Sequence, residues 1–338
     1  MKALLLLFSP VSRLVCRIKA NLYTKGRLRS RKAPLPVISV GNISFGGSEK
    51  TPLAMELIAC LLDRGWKPAL VSRGYRGQWE KEGGVLSDGA GLRGSWRQGG
   101  DEPYLVARRF PGAGVLVGRD KLASCRRAHE LGFTAAVLDD AFQHLRLARN
   151  LDIVLIDSRK KLALREGASS LRRAGIILVR DTAQPGTKQT MRASFPGAAI
   201  FDYRTIPIGF VNLRDGEMAP RNSFRGKSVL AFCGIADPSR FKNLLREVGA
   251  DVRSFLVFPD HHPYPAASLK KIARRFAASG AEAILTTEKD AIKLVSAGTA
   301  LEGLPLHALR IGLDIEEGFY DLVEAGLKKA AAGKEGRV

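Results

Sequence analysis

A lysine–threonine pair opening a helix, with glycines and then a strand before it, is chemistry aimed at phosphate. Residues 39–52 read SVGNISFGGSEKTP: the apolar run PVISV (36–40) enters a turn containing Gly46, Gly47 and Ser48, and Lys50 and Thr51 follow. Glycines let backbone N–H groups approach phosphate oxygens, and the helix N-terminus adds positive potential. Lysine reaches the β- and γ-phosphates, and a threonine hydroxyl suits Mg²⁺. The bland alternative is a glycine turn that happens to precede a lysine; the strand before it and the helix pattern after it favour phosphate binding. Glu49 stands where this pattern carries glycine. Backbone amides do the cradling, and a carboxylate beside a helix N-terminus is favoured by ~0.3–1 kcal/mol. The expectation is a working loop with the Glu49 side chain turned outward, paired with a neighbouring lysine or arginine.

Other groups suit the same chemistry. AAVLDDAFQH ends an apolar strand in Asp139 and Asp140, carboxylates at the edge of a sheet where either could hold Mg²⁺. Paired aspartates alone are more often a turn or a cap; the Lys50 loop makes metal binding the better reading. QGGDEP presents Asp101 and Glu102, with a strong capping alternative in which Asp101 caps a helix and Pro103 sits in its first turn. SRGYRG and VGRD set Arg73, Arg76 and Arg119 at strand ends, poised for phosphate oxygens. FPDHHPY places His261 and His262 beside Asp260, a polar cleft without zinc-ligand spacing.

Positioning these groups requires strands that end together. Helix pattern TPLAMELIACLLDRG follows the loop, and apolar strands recur at 68–72, 114–118, 135–140, 152–157 and 175–180. Strands alternating with helices imply a doubly wound, mostly parallel α/β sheet, buried on both faces. Residues 77–100, glycine-rich with mixed charge and no clear period, read as a mobile loop over the site or as surface slack. IPIGFVNLRDGEMAP reads as an extended ribbon turning at Asp215 and Gly216. A second alternation from KSVLAFCGI onward makes a smaller α/β lobe. The division is 1–32 for an N-terminal helix and basic tail, 33–200 for the nucleotide lobe, 201–225 for the ribbon and 226–338 for the smaller lobe.

At 338 residues the chain can bury two cores, and 45% hydrophobic with 26% charged residues is ordinary for a globular protein. A net charge of +21 implies polyanionic surroundings. Residues 1–48 contain no acidic side chain, and Leu4, Leu7, Phe8, Val11, Leu14, Val15 and Ile18 fall at helical spacing. An interfacial helix on an anionic membrane and a helix packed on its own domain both fit; the basic tail favours the membrane. The run is too short to span a bilayer. Four widely spaced cysteines indicate free thiols in a reducing compartment.

The ordered set VGNISFGGSEKTP, SRGYRG, GDEP, VGRD, LDDAFQH, CGIADPSRF, FPDHHPY and TTEKDAIK closely resembles the tetraacyldisaccharide 4′-kinases, the lipid A 4′-kinases of Gram-negative bacteria. The resemblance runs from the N-terminal helix to about Lys293. It departs from the commonest pattern at Glu49 and Ala141, where glycine is usual, and LREGASSLRRAG lacks a proline-flanked form. It implies a P-loop NTPase-like fold of two α/β lobes joined by a two-stranded β ribbon. It implies ATP- and Mg²⁺-dependent phosphorylation of the 4′-hydroxyl of a lipid-linked glucosamine disaccharide 1-phosphate, by a monomer at the cytoplasmic face of the inner membrane. By motif, Lys50 and Thr51 hold ATP and Mg²⁺, Asp139 and Asp140 belong to the metal and catalytic cluster, and Asp101 is the base, assisted by His261 or by its neighbour His262. One rival is a nucleotide switch or metal-insertion GTPase, to which TTEKD bears a loose likeness. Another is a nucleic-acid-binding module, weak with 7% aromatic residues and no recognised binding motif.

Overall fold

The computed structural model describes residues 14–44, 49–157, 164–181, 186–294 and 301–335. The chain divides into two compact units, Met1–Arg204 with Leu313–Val338, and Thr205–Gly312. Gly46, Gly47 and Ser48 of the phosphate loop, and residues 1–13 of the N-terminal segment, lie outside the described residues.

In the first unit the strands are β1 (Val37–Asn42), β2 (Pro68–Ser72), β3 (Gly84–Asp88), β4 (Gly114–Val117), β5 (Ala135–Leu138), β6 (Leu151–Ile156), β7 (Ile176–Arg180) and the start of β8 (Ala199–Asn212). Their order is β8-β7-β6-β1-β5-β2-β4-β3. Every neighbouring pair is parallel except β3 with β4. Side chains alternate between two buried faces. Ile38, Val40, Val137, Ile153, Leu155, Ile176 and Leu178 share one core with Leu53, Leu57, Ile58 and Leu61 of α1 (Lys50–Asp63). Val71, Ala136 and Leu138 face the opposite core, with Leu122, Cys125 and Ala128. Burying each such Leu or Ile is worth about 1.5–3 kcal/mol, which is why the strands read as unbroken apolar runs.

The chain leaves β1 toward β2 on one side and leaves β5 toward β6 on the other. The loops after these adjacent strands therefore diverge, opening a crevice at their carboxyl ends, the usual ligand position in such sheets. Residues 77–100 are not a free loop. They contain β3, antiparallel on the sheet edge, and α2 (Trp96–Gly99), whose first turn is closed by a capping box between Ser95 and Gln98. Further helices of the first unit are α3 (Asp101–Arg109), α4 (Lys121–Glu130) and α5 (Thr187–Ser194).

The second unit contains the rest of β8, β9 (Met218–Pro220), β10 (Ser228–Cys233), α6 (Pro238–Glu247), β11 (Asp251–Val257), α7 (Ala266–Ser279), β12 (Ala283–Thr287), α8 (Glu288–Leu294) and β13 (Leu306–Ile315). The strands β11-β10-β12-β13 are parallel in that order. The ribbon is present: β8 pairs antiparallel with β9, Gly209 opposite Pro220, around a turn in which Gly216 takes φ 81°. The chain enters this unit along β8 and returns along β13, so the second crossing is not the ribbon's other strand.

That return corrects the sequence-based division, which left everything after residue 226 in the smaller lobe. Helix α9 (Phe319–Glu335) sends Phe319, Val323 and Leu327 into the core under α1. Arg64 at the end of α1 binds Asp321 at 2.6 Å and Glu324 at 2.7 Å. The Leu313 amide donates to Glu56 at 3.1 Å.

Candidate active site

Parallel strands bring their carboxyl ends to one edge, and most of the singled-out residues of the first unit lie there. Lys50, the first residue of α1, reaches Asn42 Oδ1 at the end of β1 (3.3 Å) and Asp140 Oδ1 beyond β5 (3.2 Å). One position on, the Thr51 hydroxyl donates to Asp139 Oδ2 at 3.3 Å. Four of the expected residues thus meet within two hydrogen-bonded pairs. Adjacent aspartates have opposite environments. Asp140 also takes two bonds from Arg165 at 3.0 Å. Burial pushes its carboxyl up, but Lys50 and Arg165 outweigh that and hold it low, at about 2. For Asp139, burial and then the Asp140 charge prevail over Lys50 and Lys121, raising it to about 6.

Asp139 Oδ1 is buried and has no hydrogen-bond partner among the described residues. An orphaned carboxylate oxygen beside a threonine hydroxyl fits a hard divalent cation. Mg²⁺ characteristically takes one or two protein oxygens and completes its shell with water and phosphate. Among the described residues no group of three or more His, Cys, Asp or Glu converges as a metal cage, which is consistent with so sparse a donor set. The geometry favours Asp139 over Asp140 as the ligand, since Asp140 is already taken by two cations.

Glu49 is paired with an arginine, as expected, but the pair is buried within the unit rather than lying on its surface. It is 9% exposed, and its carboxylate accepts from Arg180 Nη1 at 2.7 and 2.8 Å and from the Tyr203 hydroxyl at 3.0 Å. Its φ of 28° lies in the left-handed region, where a non-glycine residue is disfavoured by roughly 1–2 kcal/mol. Charge-assisted hydrogen bonds of about 1.5–3 kcal/mol each offset that cost.

Arg73 and Arg119 are brought together by a residue that sequence reasoning missed. Glu80 Oε1 lies 2.8 Å from Arg73 Nε and 3.2 Å from Arg119 Nη2, leaving both guanidinium groups about half exposed. The loop carrying Arg73 and Arg76 packs backbone to backbone on the junction of α2 and α3. A Cβ on Gly77 would stand 2.5 Å from Gln98 O and 2.7 Å from Gly100 N, so only glycine fits there. Asp101 does not cap α3, as the sequence allowed: Gly100, at φ 89°, holds the cap position and Asp101 is the first helical residue, buried. Three further residues escaped notice. Arg165 and Asn42 anchor Asp140 and Lys50, and Lys121 is buried with its ammonium on the Asp139 carbonyl at 2.8 Å. Lys121 directly follows VGRD, the one signal that could have exposed it.

His144, four residues beyond Asp140, is depressed to about 4 by burial and by Lys121, Lys19 and Arg149. Its folded value lies below the unfolded one near 6.5, so the unfolded chain takes up the proton first. The contribution to stability is complete above about pH 6.5 and is lost as pH falls toward 4. After allowance for solvent screening it amounts to about 1–2 kcal/mol. Denaturant midpoints at pH 7 and 4.5 should fall less in His144→Asn than in wild type; equal falls would remove His144 from the account.

In the second unit the motif residues line the carboxyl ends of β10, β11 and β12. His261 takes φ 63°, and its amide donates to Gly234 O at 3.1 Å. The Lys289 ammonium lies 3.2 Å from His261 Nε2 and 3.3 Å from Asp260 Oδ1. Since an ammonium only donates, a hydrogen bond in this contact requires Nε2 to accept. His262 differs: its ring stacks on Phe258, contacts Tyr264 and bonds Ser268 Oγ at 2.8 Å. Those contacts support His261 as the chemically available histidine. Asp290 of TTEKD is fully buried, bonded to Gly234 N and Thr287 Oγ1 and paired with the equally buried Lys293, so it braces strand ends rather than facing a guanine base.

Comparison with known proteins supplies the context. A family model described as Tetraacyldisaccharide-1-P 4'-kinase matches residues 1–328. A tetraacyldisaccharide 4'-kinase of Anaeromyxobacter dehalogenans is 38% identical, covering 96% of this chain and 89% of that protein. One from Desulfatibacillum aliphaticivorans is 37% identical, with 96% and 93% covered. Among solved structures, LpxK from Aquifex aeolicus in complex with ATP matches with a TM-score of 0.76 and 31% identity, over 96% of this chain and 99% of that one.

Proposed function

Since this chain belongs to the tetraacyldisaccharide-1-P 4'-kinase family, we propose that it transfers the γ-phosphoryl group of ATP to the 4′-hydroxyl of a lipid-linked glucosamine disaccharide 1-phosphate. The observation that carries the reading is the joined pair of contacts at the crevice, Lys50 with Asp140 and Thr51 with Asp139. An ammonium, a hydroxyl and a carboxylate oxygen without a hydrogen-bond partner among the described residues match what a bound triphosphate and its cation require.

In this reading Lys50 meets the β- and γ-phosphates, exchanging part of its contact with Asp140 for theirs. Thr51 and Asp139 would hold Mg²⁺, which neutralises phosphate charge when bound. Asp101 accepts the hydroxyl proton as the acceptor oxygen bonds to phosphorus and the bond to the departing ADP breaks. His261 is proposed to assist that transfer. Arg73 and Arg119, ordered by Glu80, offer forks to phosphate oxygens. Incubating purified protein in detergent with labelled ATP and the disaccharide 1-phosphate lipid should yield the 1,4′-bisphosphate. ATP binding without that product would overturn the acceptor assignment.

We further propose that the protein acts as a peripheral enzyme on the anionic cytoplasmic face of the inner membrane. Among the described residues no helix is long and apolar enough to cross a membrane. Residues 14–24 are helical, and Leu14, Val15 and Ile18 are 59, 57 and 52% exposed, which suits an interfacial helix better than one packed on its own unit. Deleting residues 1–25 should move the protein from membrane to soluble fractions and depress turnover of the natural lipid more than that of a short-chain soluble analogue. Unchanged partitioning would sink the anchoring role.

A further inference from the structure

Glu49 and Lys50 are consecutive, yet they send their charges to opposite sides of β1. Lys50 turns toward β5, where Asp140 stands. Glu49 reaches past β6 to Arg180 on β7 and Tyr203 on β8. Those two residues are register partners, side by side at the strand ends. Arg180 continues the row of Ile176 and Leu178 beneath α1, and Tyr203 rises from the same core. Asp157, just beyond β6, lies 3.9 Å from the same Arg180 nitrogen. The guanidinium thus sits between two carboxylates, nine-tenths buried, with the shorter contacts made to Glu49.

Resting on the reading that Lys50 and Thr51 meet nucleotide phosphates, we propose that Arg180, assisted by Tyr203, is a positioning residue for nucleotide binding. It holds the Glu49 carboxylate on the β7–β8 side, away from the polyphosphate. A loop bearing glutamate where the phosphate-binding pattern has glycine then still accepts ATP. Backbone geometry alone does not do this. With φ held at 28°, three side-chain torsions remain, and the carboxylate leaves from the residue next to the lysine that the phosphates need. The arginine binds both carboxylate oxygens through one nitrogen, and the tyrosine adds a second direction, so together they fix where the charge points.

The requirement for Arg180 is conditional, and that gives it a signature. It matters to nucleotide affinity only while residue 49 is a carboxylate. In Arg180→Met the released glutamate opposes the triphosphate, and the dissociation constant for Mg·ATP, read by titration calorimetry, should rise about tenfold or more. In Glu49→Gln/Arg180→Met it should return to within about threefold of wild type, because residue 49 then carries no charge to restrain. KM for ATP should follow the same order, with kcat at saturating ATP changed far less.

If Arg180 were only a packing element, single and double variants would lose affinity equally, and that result overturns the proposal. Should Arg180→Met fail to fold, Tyr203→Phe removes one bond to Glu49 and almost no volume. Its loss of about threefold should vanish in Glu49→Gln/Tyr203→Phe, and persistence of the loss overturns the proposal in the same way. Wild-type protein that binds no ATP would overturn the nucleotide reading as well, whereas tight wild-type binding with unchanged variants overturns the Arg180 role alone.

Discussion

Lys50→Ala should reduce phosphoryl transfer by about 10³-fold, the largest loss expected from any single substitution in this protein. The side chain stands at the start of α1 with Asn42 and Asp140 as its partners among the described residues, both at the crevice edge. Its ammonium is the group that would meet charge moving onto the β–γ bridge, and alanine leaves nothing in its place. The loss should not reflect unfolding. Asp140 keeps its two bonds to Arg165, so no buried carboxylate is stranded. Single-turnover rates with labelled ATP give the comparison, and circular dichroism with a thermal midpoint within a few degrees of wild type shows the fold retained. Transfer at more than a tenth of the wild-type rate would mean that the phosphates lie elsewhere.

Asp101→Asn should lower kcat by ~10²-fold or more with a modest change in affinity for ATP. Asparagine keeps the size and hydrogen-bonding shape at the first residue of α3 but cannot take up a proton. Because Gly100 holds the cap position, the substitution removes no N-cap, and α3 should persist. A capping role predicts the reverse pattern: lower stability with near-normal turnover. His261→Ala supplies the companion measurement. If both residues serve one proton transfer, the double variant should lose much less than the product of the single losses. Fully multiplicative losses would separate their roles, and a near-normal His261→Ala would shift suspicion to His262, against the stacking that now sets His262 apart.

What was readable in the chain depended on how local the cause was. Parallel strands buried on both faces are continuous apolar runs, so β1, β2, β4, β5, β6 and β7 could be placed from pattern alone. The glycine loop and its lysine carry their mechanism within fourteen residues, SVGNISFGGSEKTP. β3 was hidden because an antiparallel edge strand needs only one buried face, and GVLSD supplies too few apolar residues to show a period. Helix α9 was assigned to the wrong unit because an amphipathic pattern says that a helix must dock without saying on which core. The partners of the site were the hardest to see. Glu49 meets Arg180 across 131 positions, and Glu80 gathers Arg73 and Arg119 from two different loops. Arg165 lies in the stretch whose only evident feature was a missing proline. Each is an ordinary charged residue until the topology sets it beside its counterpart.

The late return of the chain along β13 bears on the order in which this protein is made. Emerging from the ribosome, the first unit presents its strands early, but Phe319, Val323 and Leu327, which close the core beneath α1, are synthesised only after the whole of residues 205–312. Residues 205–312 are contiguous and contain every strand of their own core, so that unit can condense while the first unit still waits for α9. The portion begun first is therefore the portion finished last. Until α9 arrives, Leu57, Ile58 and Leu61 of α1 lack part of their cover, and a nascent chain paused before residue 319 exposes that apolar surface to chaperones and proteases.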